Sequence, residues 1–578
     1  MRLIVRLIVL VASLGIGWAQ AQAQAPDPAD GPGIFVSIGL HQIDDHRDRL
    51  ETEAITGKVL TEFFDWLRGT GWTAVSLDDL AAARRGERPL PPKAILLTAD
   101  DGYKSLYNRI FPLLKAYRFP LVASVTGSWM EGPADGVVLY GDRAVPRSTF
   151  ISWEQAREMQ ASGLVEFASH SYDLHRGVQA NPQGNLIAAA ATWRYDQTTG
   201  RYEDDAEFKA RIRADLSLAR RQMSVNLGRA PRAIAWPYGR FSGPARDVAR
   251  ELGFTFALTF EAEPSSVSDL FSIGRYYPAR NATLGDIARN LRFDPERPLT
   301  RRIACLRLDH LAASATPAAQ DEALGRIIED IRALGANTVI VDANAALPSP
   351  DAPLAAVFFP TDLLPVRADM LSHAAWQLRT RAGVDVFLRL PPDAAARAIG
   401  ASQVPRLFAD MARYTTADGY AVAIAPAPDL ATPIADAPAQ LRARRERTDI
   451  ASLAPDARAG FVAFRAATAI DPLARLLVPL KPGETPSALA DIGLLPPVGD
   501  ADAASALAAR LRKARWLSPD NAGRIAIALP ADPDRQVEAL RQAQRQGASA
   551  FALCPDAPLP PSAALSAAFS AATYPYRP

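Results

Sequence analysis

The chain has 578 residues, with 64 Lys and Arg against 63 Asp and Glu, for a formal net charge of +1. That balance excludes a nucleic-acid binder held by phosphate neutralisation, which needs a basic excess. Two cysteines exclude a disulfide framework or a thiolate-rich metal site and leave one optional disulfide, while 48% hydrophobic residues and only 35 Gly and 47 Pro give a globular chain long enough for two or more domains.

In chain order, Arg2 and Arg6, the apolar run from Leu7 to Trp18 and the small-residue repeat from Ala19 to Ala25 read as a secretory signal peptide over residues 1–25. The alternative is an uncleaved anchor or a buried strand, although the run is shorter than the ~20 residues a spanning helix needs. No cysteine stands near the cleavage region to carry a lipid, and no later run is long and apolar enough to span a bilayer. The expectation is a soluble, exported or periplasmic protein.

From Gly33, apolar β-type runs alternate with amphipathic stretches. Strands are expected at Ile34–Ile38, Ala94–Thr98, Val122–Thr126, Leu164–Ala168 and Ala233–Trp236. Helices are expected at Val59–Arg68, Leu106–Ala116 and from Asp204 to about Asn226. The alternation implies βα units and a parallel sheet, with chemistry at the carboxyl ends of the strands. A polar, Pro-containing linker, residues 292–302, separates this region (33–291) from a second βα series (303–578). That series has expected strands at Ile303–Leu308, Thr338–Asp342, Val384–Leu390, Gly419–Ile424 and Ile525–Leu529, and helices at Gln320–Leu334 and Ala504–Ala514.

Four of the six histidines, His41, His46, His170 and His175, fall in the first region, together with the pair Asp100-Asp101 at an expected strand end. Two carboxylates there can serve different partners, one a metal and one a water. His170 and His175, five apart in a loop after a strand, can join one carboxylate as the three protein ligands of an open catalytic site. A capping His and a surface His are the bland reading of that pair. His46, among Asp44, Asp45, Arg47 and Asp48, reads as solvated, and Arg211–Arg221 as a solvated helix face.

At these residues the sequence resembles the polysaccharide deacetylases, carbohydrate esterases with NodB homology. Leu97-Thr-Ala-Asp100-Asp101-Gly-Tyr103 is similar to their T-F-D-D-G-Y motif, His170 and His175 to H-x-x-x-x-H, and Trp236-Pro-Tyr-Gly239 to the third motif. The start containing His41, residues 81–92, Gly127-Ser-Trp129 and Trp376–Arg381 resemble the exported subgroup acting on poly-β-1,6-N-acetyl-D-glucosamine. The resemblance implies an α/β fold of two (β/α) barrel-like domains, a deacetylase-type barrel followed by a glycoside-hydrolase-like one. It assigns Asp101, His170 and His175 to a divalent metal, with Zn²⁺ the default and Co²⁺ or Ni²⁺ as substitutes. Asp100 becomes the general base, His41 the general acid and the Tyr238 backbone part of the oxyanion site, with Trp236, Pro237 and Asp309 as substrate-binding candidates.

Two positions depart from the family pattern. Ala99 replaces the usual Phe, and Ile234 stands where the generic third motif has Arg, so the base must be oriented from elsewhere. In the second region the acids expected after Asp418-Gly419 are absent up to Asp429, and Pro426 and Pro428 stiffen that loop. The expectation is a domain that binds polymer without cutting it, with Trp376 and Trp516 as stacking candidates against a core role, and Asp309 and His310 as carbohydrate contacts or mouth structure. The implied function is N-deacetylation of a β-1,6-linked N-acetylglucosamine exopolysaccharide for biofilm matrix export, with an outer-membrane export porin as the implied partner. Two readings stay open beside it: a deacetylase of peptidoglycan or chitin, and a non-catalytic polysaccharide-binding export factor.

Overall fold

The computed structural model describes residues 33–46, 52–141, 143–292, 300–314, 316–424, 438–480, 489–517, 521, 523–554 and 563–570. The expected signal peptide, most of the expected linker, and Pro426, Pro428 and Asp429 lie outside them.

The first domain is built on six parallel strands in the spatial order Phe256–Leu258, Ala233–Ala235, Val165–Ser169, Leu121–Val125, Ala94–Ala99 and Ile34–Leu40. Helices cover the sheet, so a central strand such as Ala94–Ala99 is buried at every position and reads as an uninterrupted apolar run rather than an alternation. Ser265–Ser266 adds an antiparallel edge on Ile34–Phe35, and Thr73–Ala74 pairs with Ala94–Ile95. The regular strands therefore form an open sheet, so this domain is barrel-like without a fully closed strand ladder. The gap is spanned by an irregular segment, residues 273–276: Ile273 bridges Leu258 on one edge and Tyr276 bridges Ile38 on the other. Closure by single bridges instead of a full ladder leaves Arg275 and Tyr277 free to be aimed at the carboxyl end of Ala94–Ala99.

The expected helix Leu106–Ala116 is divided into a π-helical turn, Leu106–Ile110, and an α-helix, Phe111–Tyr117. The helical run is unbroken from Lys104, so Pro112 follows a helical turn to which it can offer no N–H, and the π-helical winding lies directly before it.

The second domain is a closed eight-stranded barrel, starting at Arg301–Leu306, two residues inside the expected linker. Its other strands are Thr338–Asp342, Asp385–Arg389, Gly419–Ala421, Arg475–Pro479, Ile492–Leu495, Ile525–Ala528 and Ala550–Leu553. Inside, Ile303, Ile340, Phe387 and Leu477 pack with Ala421, Ala526, Ala528, Ala550 and Ala552. Small residues opposite one large ring let a narrow barrel fill without voids, which accounts for the alanine-rich strands. The first and last strands are hydrogen-bonded neighbours, and the Cys305–Cys554 disulfide ties that seam covalently.

The two domains meet along an interface in which Leu473, Ile470 and Tyr414 pack on the first domain's core beside a set of polar contacts. Arg240 donates to Asp418 (3.1 Å), Arg413 to Asp205 (3.0 Å), Tyr202 to Asp369 (2.6 Å) and Asn181 to Ser372 (3.2 Å). Arg442 pairs with Glu263, both nearly buried.

Candidate active site

Asp100 and Asp101 follow the strand Ala94–Ala99 directly. Asp101 has φ +68° and Gly102 φ +71°, so two successive left-handed residues turn the chain away and aim the adjacent carboxylates apart. Gly102 is needed here, since left-handed backbone strains other residues and a Cβ would lie 3.0 Å from Val125.

The Asp101 carboxylate, 1% exposed, points at a histidine pair. Its Oδ1 lies 3.4 Å from His170 Nε2 and 3.5 Å from His175 Nε2, and it accepts no hydrogen bond. Oδ2 accepts from the Tyr140 hydroxyl at 3.0 Å. His170 Nδ1 is 2.7 Å from the Ala235 carbonyl, an acceptor only, so this nitrogen carries the proton and Nε2 presents its lone pair. Burial pushes both imidazoles down, to about 4, so both are neutral at pH 7. Burial also raises Asp101, against the opposing charge of His41 and His170. The three ligand atoms lie within 4.8 Å of one another. An unpartnered buried carboxylate oxygen facing the lone pair of His170 Nε2 and the Nε2 of a second neutral imidazole, His175, is the donor set of a divalent metal, so the residues fit the ion.

Asp100 faces the opposite way. Its Oδ1 accepts from Ser124 Oγ (2.6 Å) and Arg275 Nη1 (2.9 Å), and Oδ2 accepts from the Tyr277 hydroxyl (2.6 Å). Burial alone would raise its pKa, but the Arg275 guanidinium, then His170 and His41, hold it well below the ordinary carboxylate range. Arg275 is itself fully buried and donates to the Thr259 carbonyl and Thr98 Oγ1. It supplies the orientation that Ile234, a core residue here, cannot give. With one donor on Oδ2, that oxygen keeps a lone pair for a water.

His41 stands at the end of Ile34–Leu40. Its ring rests 5.0 Å from Tyr277 and 6.3 Å from Phe260, with Nε2 4.0 Å from Asp101 Oδ2 and Nδ1 3.6 Å from Glu53. Tyr238 adopts φ +57°, a conformation that costs a non-glycine residue ~1–3 kcal/mol, and its half-buried ring packs 4.6 Å from His175. Trp129 (4.7 Å) and Tyr140 (5.8 Å) complete an aromatic wall around His175.

The other expected residues do not join this centre. The Trp236 side chain is fully buried and stacked on Phe241, and Pro237 is buried, so both shape the loop from behind and offer no side chain to a substrate. Asp309 lies in the second domain, where it accepts from the Ala346 N–H and from Arg367. Trp516 is core, and Trp376 donates its indole N–H to the Leu186 carbonyl across the interface, so neither is an open stacking platform. His46 is exposed and paired with Asp44. Among the described residues at the carboxyl mouth of the barrel, Asp309 is paired with Arg367 and Asp342 with Arg389. Arg275, Tyr277, Ser124, Tyr140 and Glu53 are the contributors that motif reading missed.

Comparison with known proteins gives matches over both halves. Residues 87–257 match the polysaccharide deacetylase family, and residues 308–419 match hypothetical glycosyl hydrolase family 13. A poly-beta-1,6-N-acetyl-D-glucosamine N-deacetylase of Escherichia coli K12 is 36% identical over 357 residues, 62% of this chain and 53% of that protein. The chain thus spans about half the length of the curated relatives it matches. Among solved structures, a de-N-acetylase from Aggregatibacter actinomycetemcomitans is 33% identical, covering 44% of this chain and 99% of its own, with a TM-score of 0.42. The BpsB deacetylase domain from Bordetella bronchiseptica is 40% identical over 43% of this chain and 97% of its own, at 0.39.

Proposed function

With residues 87–257 belonging to the polysaccharide deacetylase family, we propose that this chain is a metal-dependent N-deacetylase of a β-1,6-linked N-acetylglucosamine polysaccharide. The observation that carries the reading is the divided carboxylate pair, with Asp101 turned to His170 and His175 and Asp100 turned to Arg275. The substrate class rests on the likeness to the Escherichia coli enzyme. When bound by Asp101, His170 and His175, a divalent cation acidifies water and polarises the acetyl carbonyl.

The remaining steps fall to the chain's own groups. Asp100, ionised and held by Ser124, Arg275 and Tyr277, accepts the proton of the attacking water at Oδ2. The Tyr238 backbone N–H stabilises the oxyanion that develops on the carbonyl oxygen. His41 gives a proton to the departing sugar amine, with the Glu53 carboxylate 3.6 Å from its Nδ1. Proton transfer by such groups contributes ~10²–10⁴-fold. Asp100→Asn and His41→Ala should therefore each lose that much turnover while keeping metal.

The second domain binds the polymer without cleaving it. Glycoside hydrolysis needs two carboxyl groups free to act on the bond, and two carboxylates at the mouth, Asp309 and Asp342, are each paired with an arginine. The Cys305–Cys554 bond supports an exported location, since such bridges persist in oxidising compartments. The setting that goes with this reading is biofilm matrix export, with an outer-membrane porin as the receiving partner. The test is amine release from defined β-1,6-GlcNAc oligomers, with chitin and peptidoglycan fragments as competitors. Release that stops on chelation and returns with Zn²⁺ is expected, unchanged release in metal-free protein overturns the mechanism, and new reducing ends overturn the non-cleaving role.

A further inference from the structure

The hairpin of Val137–Tyr140 and Arg143–Pro146 is an insertion after the strand Leu121–Val125, and the reaction just described makes no use of it. Its inward residues Val138 and Val145 pack on Tyr103, Trp129 and Phe150, beneath the aromatic wall. Val137 and Leu139, on the opposite face, are 70% and 69% exposed. The hairpin is therefore held from one side only, and its register delivers Tyr140 to the centre. Tyr140 packs 5.0 Å from Trp129 and 5.8 Å from His175, and its hydroxyl donates to Asp101 Oδ2.

We propose that Tyr140 is a positioning residue for the metal ligand Asp101, its hydroxyl holding Oδ2 so that Oδ1 alone is presented to the ion between His170 and His175. The inference rests on the metal-site reading given above. A carboxylate at the end of one side chain can rotate between one-oxygen and two-oxygen presentation. Here one oxygen is engaged by a donor from a separate element and the other is left without a partner, which fixes the rotation before any ion arrives. Outer partners of this kind typically change metal affinity by ~10–100-fold when removed. The hairpin thereby couples the aromatic wall to the ligand geometry.

The test uses the full chain and measures Zn²⁺ affinity by competition with a chromogenic chelator, along with the visible spectrum of the Co²⁺-loaded protein. Tyr140→Phe keeps the ring and removes the donor. It should weaken Zn²⁺ binding about 10–100-fold and alter the Co²⁺ spectrum, with an unchanged circular dichroism spectrum. Val138→Ala, which loosens the packing but retains the hydroxyl, should bind Zn²⁺ more tightly than Tyr140→Phe does. A Tyr140→Phe protein with wild-type affinity and Co²⁺ spectrum overturns the proposal and leaves the metal site standing. Wild-type protein that binds neither ion overturns both.

Discussion

Two neighbouring aspartates have opposite environments because the backbone between them is left-handed. Asp101 looks toward neutral imidazoles and Asp100 toward a buried guanidinium, and the proposed roles of ligand and base rest on that division. Arg275 maintains this division. Breaking a buried pair by removing one partner leaves an uncompensated charge and costs ~3–5 kcal/mol. Arg275→Met should therefore lower the urea midpoint markedly and abolish turnover. Arg275→Lys should recover part of the stability but little of the activity, because a single ammonium cannot reach the Thr259 carbonyl, Thr98 and Asp100 together.

Among the elements, the segment 273–276 matters most for the site although it forms no regular strand. It reaches both edges of the sheet and carries Arg275, and the following Tyr277, inward, and Gly39 is what makes room for Tyr277. A Cβ at Gly39 would fall 2.2 Å from the Tyr277 ring. Gly39→Ala should push Tyr277 off Asp100 and, at the ~10²-fold sensitivity that a misplacement of about 1 Å brings, cut turnover while leaving Zn²⁺ binding near normal; equal losses of both would contradict this. Regular elements were legible in the sequence because burial on both faces writes itself as apolar runs: the expected strand Thr338–Asp342 is observed with those bounds, and Ala94–Thr98 extends by one residue. Arg475–Pro479, Ile492–Leu495 and Ala550–Leu553 were not seen, since Leu, Ala and Gly read as helix or loop as readily as strand. The proposed ligands were legible because close spacing links His170 to His175 and Asp100 to Asp101. Arg275 and Tyr140 were not, because their partners are far away in sequence and neither lies in a periodic element.

For the molecule as a whole, the interface responds to pH. Burial raises the Asp369 carboxyl, which accepts from Tyr202 across the interface, to about 6. A raised acid favours the folded state while protonated, so its contribution is fully present below the ordinary aspartate value and is lost as pH rises through about 6. A shift of this size corresponds to roughly 2–3 kcal/mol. Asp369→Asn should therefore raise the urea midpoint at pH 7 but change it little at pH 4, and a uniform shift at both would show that charge is not the cause. The disulfide carries a consequence of another kind, concerning birth order. Its two cysteines are 249 residues apart, one on the first strand of the barrel and one directly after the last. No bridge can form until Cys554 has been delivered beside Cys305, so the barrel cannot be locked while its chain is still arriving. The first domain, whose last helix ends at Leu291, is free to fold first and to offer the later strands a finished surface to gather on.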